Sequence, residues 1–441
     1  MTVFSYLFLA LQIALLLYGG YWLIISLFGF GKAERLPERE PEKRFLVLVP
    51  AHNEAEVIGS LVENLMNLDY PKELFEVCVI ADNCTDKTAD ISRKLGAIVL
   101  EHTSLPGEKK GKPYAIKYAI DFISIDNFLT SEFDAIAIFD ADNLVTTNYL
   151  REMNHHLLNG EKLIQCYLDS KNPNDNWITL GYATSYYFMN RSWQLAKYRL
   201  GLGNAIGGTG FCVDTGVIKE VGWTARSLTE DLEFTMQCLL KGIPTSWCHH
   251  ARVYDEKPVK FKDSCVQRLR WARGHWDVCF KYAGRLFLRA FVKRDVRAFD
   301  GAVYLLNPAK ILLEAATWIV GILMLKQDLF QIYPVWLWIS LLIFSSIYTW
   351  IASGIDTNKK INKPKAIISA WALYYVYIPL FFWALITFKN TTWVKTKHSR
   401  NITMDAFTNE GITKNVQIAA VPSGSNTDTD FMNDLPSEAV S

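Results

Sequence analysis

The chain has 441 residues, of which 50% are hydrophobic and 13% aromatic, with 46 basic and 45 acidic side chains. This length supports more than one structural unit, and a net charge of +1 gives no global field that would favour nucleic acid. The eight cysteines lie between Cys78 and Cys279 without a Cys-x-x-Cys pair. We therefore expect reduced, buried thiols of a cytosolic domain, and neither a disulfide frame nor a zinc site.

The N-terminal segment, residues 1–31, contains no charged side chain and is long enough to cross a bilayer. A cleaved signal peptide is the alternative, but the basic n-region is missing and the apolar run is too long. Basic residues follow at once: Lys32, Arg35, Arg39, Lys43 and Arg44. The positive-inside rule then places the N-terminus outside and residue 32 onward in the cytoplasm.

The central segment, residues 32–283, alternates between strand-like and helix-like runs. Apolar, β-prone runs at 45–49, 75–81, 97–101 and 135–139 are separated by stretches with helical apolar spacing. This alternation predicts an α/β domain with a mostly parallel sheet flanked by helices. An amphipathic helix at the membrane interface is expected around 259–283.

The strand predicted at 135–139 ends in two carboxylates, Asp140 and Asp142. Side chains two apart on an extended chain point the same way, and ligands of open α/β sheets bind beyond the carboxyl ends of the strands. Two carboxylates there suit Mg²⁺ or Mn²⁺ that also holds substrate phosphates. A simple turn is the alternative for an isolated Asp-x-Asp.

Polar residues also follow the neighbouring strands. His52 and Glu54 follow the first strand, and Asp82 follows the second, where a helix N-cap is the alternative role. Lys112 begins a predicted helix, where it is suited to contact a diphosphate beside free helix N–H groups, although a solvated basic loop is the alternative. No Gly-x-Gly-x-x-Gly follows the first strand, which argues against NAD.

The C-terminal part, residues 284–400, contains further apolar segments at 302–325, 333–354 and 367–388. The first contains Lys310 and Glu314 at the spacing of a helical ion pair, and an interfacial position is its alternative. Four simple crossings would leave the tail outside, whereas the basic residues from Lys389 to Arg400 favour a cytoplasmic tail. We therefore expect one segment to be interfacial or re-entrant, or the last one to turn back. Residues 401–441 are polar and predicted to be disordered.

Seven short motifs occur in one order: Pro50-Ala-His-Asn-Glu54, Asp82, Gly111-Lys112, Asp140-Ala-Asp142, Gly208-Thr-Gly-Phe-Cys212, Thr229-Glu-Asp231 and Gln267-Arg-Leu-Arg-Trp271. Together they resemble the membrane-embedded family 2 glycosyltransferases, which include cellulose, hyaluronan, chitin and poly-N-acetylglucosamine synthases. The resemblance covers about residues 44–280. It implies an A-type, Rossmann-like nucleotide-sugar domain inserted between transmembrane helices.

The resemblance also implies a role for each motif. Asp231, with Glu230 beside it, would be the general base on the acceptor hydroxyl. Asp140 and Asp142 would hold the donor and the metal ion. The other residues implied at the donor are His52, Glu54, Asp82, Lys112, Gln267 and Arg270, and those implied at the acceptor are Trp271, Gly208, Thr209, Gly210, Phe211 and Cys212. Trp393, Thr396 and His398 resemble, more loosely, an element that closes over the donor.

The chemistry of these side chains suits those roles. Arg270 offers a planar fork for phosphate oxygens, a carboxylate within hydrogen-bond reach is a competent base, and Trp271 offers an apolar face to a sugar. Plainer interpretations exist: Thr229 as an ordinary helix cap, and 267–271 as any amphipathic helix. His249-His250 suggests metal, but adjacent histidines on a strand face opposite ways, which favours structural roles.

We therefore expect a processive inverting β-glycosyltransferase of the plasma membrane that polymerises a UDP-sugar on the cytoplasmic side and exports the polymer through its own helices. UDP-glucose and a β-glucan are the first expectation, and the expected partners are the UDP-sugar, the growing polysaccharide and the lipid bilayer, without nucleic acid. The alternatives are a poly-N-acetylglucosamine or hyaluronan-type synthase, a non-processive transferase with a lipid acceptor, and a transporter or scaffold with a degenerate domain. The intact carboxylates argue against the last. About 40 tail residues are too few for a cyclic-di-GMP barrel, which argues against regulation by that nucleotide within this chain and against cellulose as the product.

Overall fold

The computed structural model describes residues 3–124, 128–323, 335–357, 361–392, 400–404 and 407. Within these residues, eight strands form one sheet in the order β3-β2-β1-β4-β7-β6-β8-β5. The strands are β1 (Phe45–Ala51), β2 (Phe75–Asp82), β3 (Ile98–His102), β4 (Ala135–Ile138), β5 (Leu144–Val145), β6 (Leu163–Ser170), β7 (Phe211–Asp214) and β8 (Ser246–Asp255).

The sheet has a parallel half and a mixed half. β1 pairs in parallel with β2 and β4, and β2 with β3, as the sequence predicts. Beyond β4 the pairing changes: β7 is antiparallel to β4 and β6, β5 is antiparallel to β8, and β6 is parallel to β8. The α/β class is confirmed, but only four of these seven pairings are parallel. No local pattern predicted β7, which has four residues and reaches β4 through a glycine-rich turn.

Helices of the central domain cover both faces of the sheet, and the described residues form fifteen α-helices in all. They are α1 (Val3–Leu27), α2 (Ile58–Met66), α3 (Thr88–Lys94), α4 (Lys112–Ile123), α5 (Phe128–Glu132), α6 (Tyr149–Leu158), α7 (Trp177–Met189), α8 (Ala196–Arg199), α9 (Thr215–Val221), α10 (Glu230–Lys241), α11 (Phe261–Lys293), α12 (Val296–Leu305), α13 (Asn307–Leu323), α14 (Val335–Asp356) and α15 (Lys363–Thr387). A π-helical turn, Asn190–Leu195, joins α7 to α8.

Alternate strand residues build two cores. Val47 and Val49 of β1 face α2 and α6, while Leu46 and Leu48 face α4, α9 and α10. Because side chains alternate across a strand, continuous apolar runs are what a sheet buried on both faces requires. This packing holds the carboxyl ends of β1, β2 and β4 at one edge, where the predicted site residues follow.

Several helices are long and apolar enough to cross a membrane. In the described part of the chain these are α1, α14 and α15, and the α12–α13 pair is a further candidate if it forms one span bent by 51°. The apolar segment predicted at 302–325 is thus interrupted near Leu306. Lys310 and Glu314 form the expected ion pair, with 2.7 Å between Nζ and Oε2.

Two helices connect the sheet to these apolar helices. α7 follows β6, and α11 follows β8 and continues to Lys293, ten residues beyond the predicted interfacial helix. α15 packs against both. A Cβ at Gly181 of α7 would lie 2.7 Å from the carbonyl oxygen of Ser369, and Trp276 of α11 donates its indole N–H to the carbonyl of Phe381 at 3.0 Å.

The cysteines and the start of the tail are also placed. All eight cysteines are free thiols and six are buried, as expected. Residues 401–404 and 407, at the start of the segment predicted to be disordered, are described by the structure. Asn401 contacts Ser60 of α2, and the ring of Phe407 lies 4.6 Å from that of Tyr254. These first tail residues are ordered because they pack on the α/β domain.

Candidate active site

Asp140 and Asp142 stand directly beyond β4, at the edge where the sequence predicts a donor site. The N–H of Asp140 donates to Asn143 Oδ1 at 3.1 Å and to Thr209 Oγ1 at 3.0 Å. Asp142 is 5% exposed, and its Oδ2 accepts the N–H of Glu256 at 3.1 Å. These bonds hold the two carboxylates beyond the strand end, with Asp140 the more accessible at 40% side-chain exposure.

Lys112, the first residue of α4, reaches across the edge of the sheet to these acids. Its Nζ contacts Asp140 Oδ1, donates to the carbonyl of Gly208 at 2.5 Å, and lies 3.9 Å from Glu230 Oε1. Burial opposes its charge, but the carboxylates of Asp140, Glu230 and Asp231 outweigh that effect and raise the Lys112 pKa. The lysine is therefore a partly buried, charged cation between these acids and not part of a solvated loop.

Glu230 and Asp231 form the first turn of α10. The Asp231 Oδ1 accepts the N–H of Leu232 at 2.8 Å. Burial raises the pKa of both carboxyl groups. The charge of Asp231 raises the pKa of Glu230 further, and that of Asp140 raises the pKa of Asp231, while Lys112 and Arg270 lower both pKa values. Thr229 precedes the helix but makes no side-chain cap bond, and its Oγ1 has no hydrogen-bond partner in the described part of the chain. The plain cap interpretation of this motif is wrong for Thr229.

The turn at residues 208–210 joins the two halves of the site. Gly208 has φ +82°, and a Cβ there would lie 3.2 Å from Asp231 Oδ2; Gly210 has φ +64°, and a Cβ there would lie 2.6 Å from Cys166 Sγ. Both positions therefore require glycine. Thr209 is buried and supports Asp140. Phe211 and Cys212 belong to β7 and are 1% and 0% exposed. Their side chains lie in the two cores of the sheet, so we now interpret them as core residues and not, as predicted, as acceptor contacts.

His52 and Glu54 lie beyond β1, and Asp82 is the last residue of β2. His52 Nδ1 is 2.8 Å from the carbonyl of Asp82, and Asp82 Oδ1 is 2.6 Å from His102 Nδ1. The N–H of Glu54 donates to Thr88 Oγ1 at 2.9 Å. Asp82 bonds to the ring of His102 and the amide of Asn83, and α3 begins six residues later at Thr88, so the N-cap alternative does not hold.

α11 carries Gln267, Arg270 and Trp271 over the same cleft. Gln267 Oε1 accepts the Tyr182 hydroxyl at 3.1 Å, and Trp271 meets the Tyr182 ring edge-on at 6.1 Å. The Nε of Arg270 is buried without a hydrogen-bond partner among the described residues. A buried donor without a partner is costly, which favours an anion at this position. The positive charge of Arg270 lowers the pKa of both Glu230 and Asp231.

Three residues that support the site were not predicted from the sequence. Asn143 links Asp140 to Thr209, the backbone of Glu256 holds Asp142, and Gly274 brings α11 against Thr229. Asn143 adjoins the Asp-x-Asp motif and was a visible signal, whereas the other two depend on tertiary packing. The predicted closing element, Trp393, Thr396 and His398, lies outside the described residues.

The comparison with protein families agrees with this arrangement. The model for "Glycosyltransferase like family 2" matches residues 41–274, more than half of the chain. The chain belongs to glycosyltransferase family 2. It is therefore a glycosyltransferase, and its α/β domain is the catalytic domain of that family.

This family 2 glycosyltransferase is similar to curated proteins of different description. A probable glycosyltransferase of Bacillus subtilis, YdaM, is 28% identical over 275 residues, covering 58% of this chain and 60% of that one. The β-monoglucosyldiacylglycerol synthase of a Nostoc species is 28% identical over 254 residues, covering 53% and 51%. The poly-β-1,6-N-acetyl-D-glucosamine synthase of Staphylococcus aureus is 25% identical over 239 residues, covering 53% and 55%. The matched regions thus span about half to three fifths of these relatives.

Among solved structures, the mannosyltransferase PcManGT of Pyrobaculum calidifontis, in complex with GDP-mannose and Mn²⁺, superimposes with a TM-score of 0.51. The match covers 85% of this chain and 98% of that one at 17% identity, and it shows that the two proteins share a fold.

The donor set suits a divalent ion that keeps most of its ligands outside the protein. No group of three or more His, Cys, Asp or Glu side chains in the described ranges could hold a metal ion by itself. Asp140 and Asp142 supply two hard oxygen ligands, and Mg²⁺ or Mn²⁺ commonly binds through one or two carboxylates plus substrate phosphates. The residues present therefore fit an ion that arrives with a diphosphate.

Proposed function

We propose that this protein transfers a sugar from a nucleoside diphosphate sugar to an acceptor hydroxyl with inversion, and that Asp231 is the general base. The observation that carries the proposal is the approach of Asp231, Lys112 and Arg270 to one edge of the sheet, beside Asp140. Inverting transfer needs a base on the acceptor side and positive charge on the leaving diphosphate. This site offers both within one cleft.

The position of Asp231 supports its role as the general base. Its Oδ2 would lie 3.2 Å from a Cβ at Gly208, so the glycine leaves open space beside the carboxylate. Oδ1 is held by the N–H of Leu232, which leaves Oδ2 as the oxygen that takes the proton. Burial raises the pKa of Asp231, which makes the carboxylate a stronger base, and Lys112 and Arg270 oppose that rise. An ionised, oriented carboxylate is what proton abstraction from a sugar hydroxyl requires.

Two carboxylates and a nearby arginine support the proposed binding site for the sugar donor. Asp140 and Asp142 would hold Mg²⁺ or Mn²⁺, and the ion would neutralise the diphosphate and act as a Lewis acid. Arg270, with a buried and unpartnered Nε in the described structure, would take a diphosphate oxygen. His52 and Glu54 beyond β1, and Asp82 at the end of β2, lie where the nucleoside would bind. We propose UDP as the nucleotide and UDP-glucose as the first donor to test.

The acceptor decides between two functions. The intact Gln267 to Trp271 motif supports a processive polymerase that makes a β-glucan. A different observation favours single transfer to a lipid: the guanidinium of Arg268 lies 4.2 Å from the Tyr182 ring and 4.3 Å from the Tyr377 ring, with 2% exposure. This stack fills the junction of α7, α11 and α15, where a polymer leaving Trp271 towards those helices would have to pass.

Purified full-length protein tests the reaction and the acceptor together. With radiolabelled UDP-glucose, Mn²⁺ and mixed membrane lipids, we expect UDP release that is lost in Asp231→Asn and kept in Asp121→Asn, which changes an exposed aspartate of α4. Undiminished UDP release by Asp231→Asn would refute the mechanism. Long water-soluble products would support the polymerase, and only short, lipid-extractable products would support the lipid transferase.

We propose that α15 lies along the membrane surface and does not cross the bilayer. The contacts of α15 support this placement. Its first half packs on α7 at Gly181, and its second half packs on α11, where Arg273 Nε donates to Thr387 Oγ1 at 2.9 Å. Both partners leave strands of the catalytic domain. The residues beyond α15 return to the same domain, where Arg400 bonds Asp175 at 2.8 Å.

Three crossings then remain: α1, the α12–α13 pair, and α14. This count puts the catalytic domain, the lysines after Asp356 and the basic residues after α15 on one side, as the positive-inside rule requires. Single cysteines at the half-buried position 357 and the exposed position 391, in a variant without Cys84 and Cys265, test the placement in sealed vesicles. Labelling of both from the catalytic side supports it, and labelling of 391 only from the opposite side overturns it.

A further inference from the structure

The chain just after α1 is held by two arginines from the catalytic domain. Arg191 Nη1 donates to the carbonyls of Gly29 and Gly31 at 3.0 and 2.8 Å. Arg199 donates to the carbonyls of Phe28, Phe30 and Lys32. Together the two side chains bind five consecutive carbonyl oxygens, those of Phe28, Gly29, Phe30, Gly31 and Lys32. The backbone at the membrane exit of α1 is therefore fixed, and so is the starting point of the side chains it carries.

The end of α14 meets the same arginine. Arg191 Nε and Nη2 donate to the two oxygens of Asp356 at 2.7 and 2.8 Å, and His249 Nε2 lies 3.2 Å from Asp356 Oδ1. Asp356 and Arg191 are 4% and 3% exposed. The negative charge of Asp356 is thus balanced by Arg191 and does not offset the charge of other cations nearby.

An open cavity of about 560 Å³ lies between these two helix ends. Its charged lining consists of Lys32, Arg35, Arg191, Arg252 and the engaged Asp356, with His249 and His250 beside them. Arg252 is paired with Asp169 at 3.2 Å. Lys32 and Arg35 are exposed and have no ion-pair partner in the described ranges. Two free cations on a fixed backbone therefore face a concave space of ligand size.

We propose that this cavity binds a phosphate group on an anionic headgroup at the catalytic-side surface of the bilayer. Basic pockets beside the ends of transmembrane helices recognise anionic lipid headgroups, and an arginine fork matches phosphate oxygens. The position agrees with a lipid: the cavity lies where α1 and α14 leave the membrane, and the exposed Ile355 on its wall suits an acyl chain. A soluble phosphate compound offers the same chemistry and is the second source. The proposal depends on α1 and α14 crossing the membrane and not on the transfer reaction.

Full-length protein in detergent, titrated with phosphatidylglycerol or phosphatidylcholine, tests the proposal. Native mass spectrometry counts bound lipids, and thermal unfolding reports the stabilisation that a ligand of the folded state gives. We expect one tightly retained phosphatidylglycerol. The double variant Lys32→Gln/Arg35→Gln, which alters exposed side chains only, should bind it about thirty-fold more weakly.

The control variant Arg39→Gln/Lys162→Gln removes the same charge at exposed positions outside the cavity. It should retain the lipid as the unaltered protein does. Stabilisation by inorganic phosphate alone, lost only in Lys32→Gln/Arg35→Gln, would keep the anion site and assign it to a soluble phosphate compound. Equal loss in both variants, equal retention of phosphatidylcholine, or no effect of the cavity variant would overturn the proposal. Sugar transfer is not measured, so failure of the proposed reaction leaves this result readable.

Discussion

Gly274 of α11 lies against Thr229, the residue before α10: a Cβ added at 274 would stand 2.5 Å from Thr229 Oγ1 and 2.8 Å from its backbone nitrogen. Asp231 follows two residues after Thr229, and Arg270 lies one turn before Gly274. This single contact therefore sets the distance between the predicted base and the predicted diphosphate ligand. Approach closer than 3.0 Å does not occur in real structures, so any larger residue has to push the helices apart.

We expect Gly274→Ala to lower kcat/KM for UDP release by at least about ten-fold, because misplacement by about 1 Å costs up to 100-fold. Overpacking should cost about 1–3 kcal/mol of stability, so the protein remains folded. Gly284→Ala on the same helix is the control, since nothing lies within 4 Å of a Cβ there. That variant should be active and slightly more stable. Full activity in Gly274→Ala would show that the contact does not position the site.

Lys112 should control the pH dependence. The proposed base Asp231 would have to be ionised, so we expect activity to fall as the pH drops through its folded-state pKa, which burial holds above the ordinary value. Lys112 opposes that rise. We expect Lys112→Gln to move the acid limb of the kcat/KM profile to higher pH and to lower the plateau by about 100-fold or more. Lys117→Gln, which breaks an exposed pair on the same helix, should leave the profile unchanged. An unshifted acid limb in Lys112→Gln would separate the lysine from the base.

Metal removal should abolish donor binding and turnover together. EDTA should stop UDP release, and added Mn²⁺ should restore it. Asp142→Asn should weaken Mn²⁺ affinity in the presence of UDP by at least about ten-fold, since it removes one of two protein ligands. Electron paramagnetic resonance of bound Mn²⁺ measures this without turnover. Asp134→Asn, at the start of β4, is the control, and equal Mn²⁺ affinity in both variants would remove Asp142 from the metal site.

The pair of Arg191 and Asp356 should dominate the attachment of α14. Both are nearly fully buried, so Asp356→Ala leaves an uncompensated guanidinium and should cost about 3–5 kcal/mol of stability. Replacing both partners, as Arg191→Met/Asp356→Leu, should recover much of that loss. Thermal unfolding in detergent provides the measurement. Asp90→Ala, which breaks an exposed pair with Arg93, should cost less than about 1 kcal/mol. A loss of that small size in Asp356→Ala would contradict the buried-pair account.

The sequence was informative where local pattern and structure coincide. The strand ending at Asp140, the helix beginning at Lys112 and the acidic first turn at Asp231 were all visible as residue types at fixed spacings. Phe211 and Cys212 were misjudged because a motif of aromatic and cysteine looks the same in a binding cleft and in a short buried strand. The antiparallel entry of β7 also depends on long-range pairing with β4 and β6, which no local pattern specifies.

Other features were beyond the sequence for the same physical reason. Close approach of two helices at Gly181 or Gly274 is decided by the partner, 188 or 45 residues away in sequence, and a glycine in a helix carries no sign of which neighbour it meets. The apolar run of α15 is equally ambiguous. Composition is the same for a helix that crosses the bilayer and one that rests on the catalytic domain, and only its contacts distinguish them.

The start of the tail is linked to Asp142, a proposed metal ligand, through one intermediate residue, Glu256. The N–H of Arg400 donates to Glu256 Oε2 at 3.0 Å, and the N–H of Glu256 donates to Asp142 Oδ2 at 3.1 Å. Shortening the protein for expression therefore carries a chemical risk that its polar composition conceals. A terminus placed before residue 400 would free the backbone that steadies Asp142, whereas one placed after Phe407 would keep it. Affinity tags and fluorescent fusions belong beyond that phenylalanine.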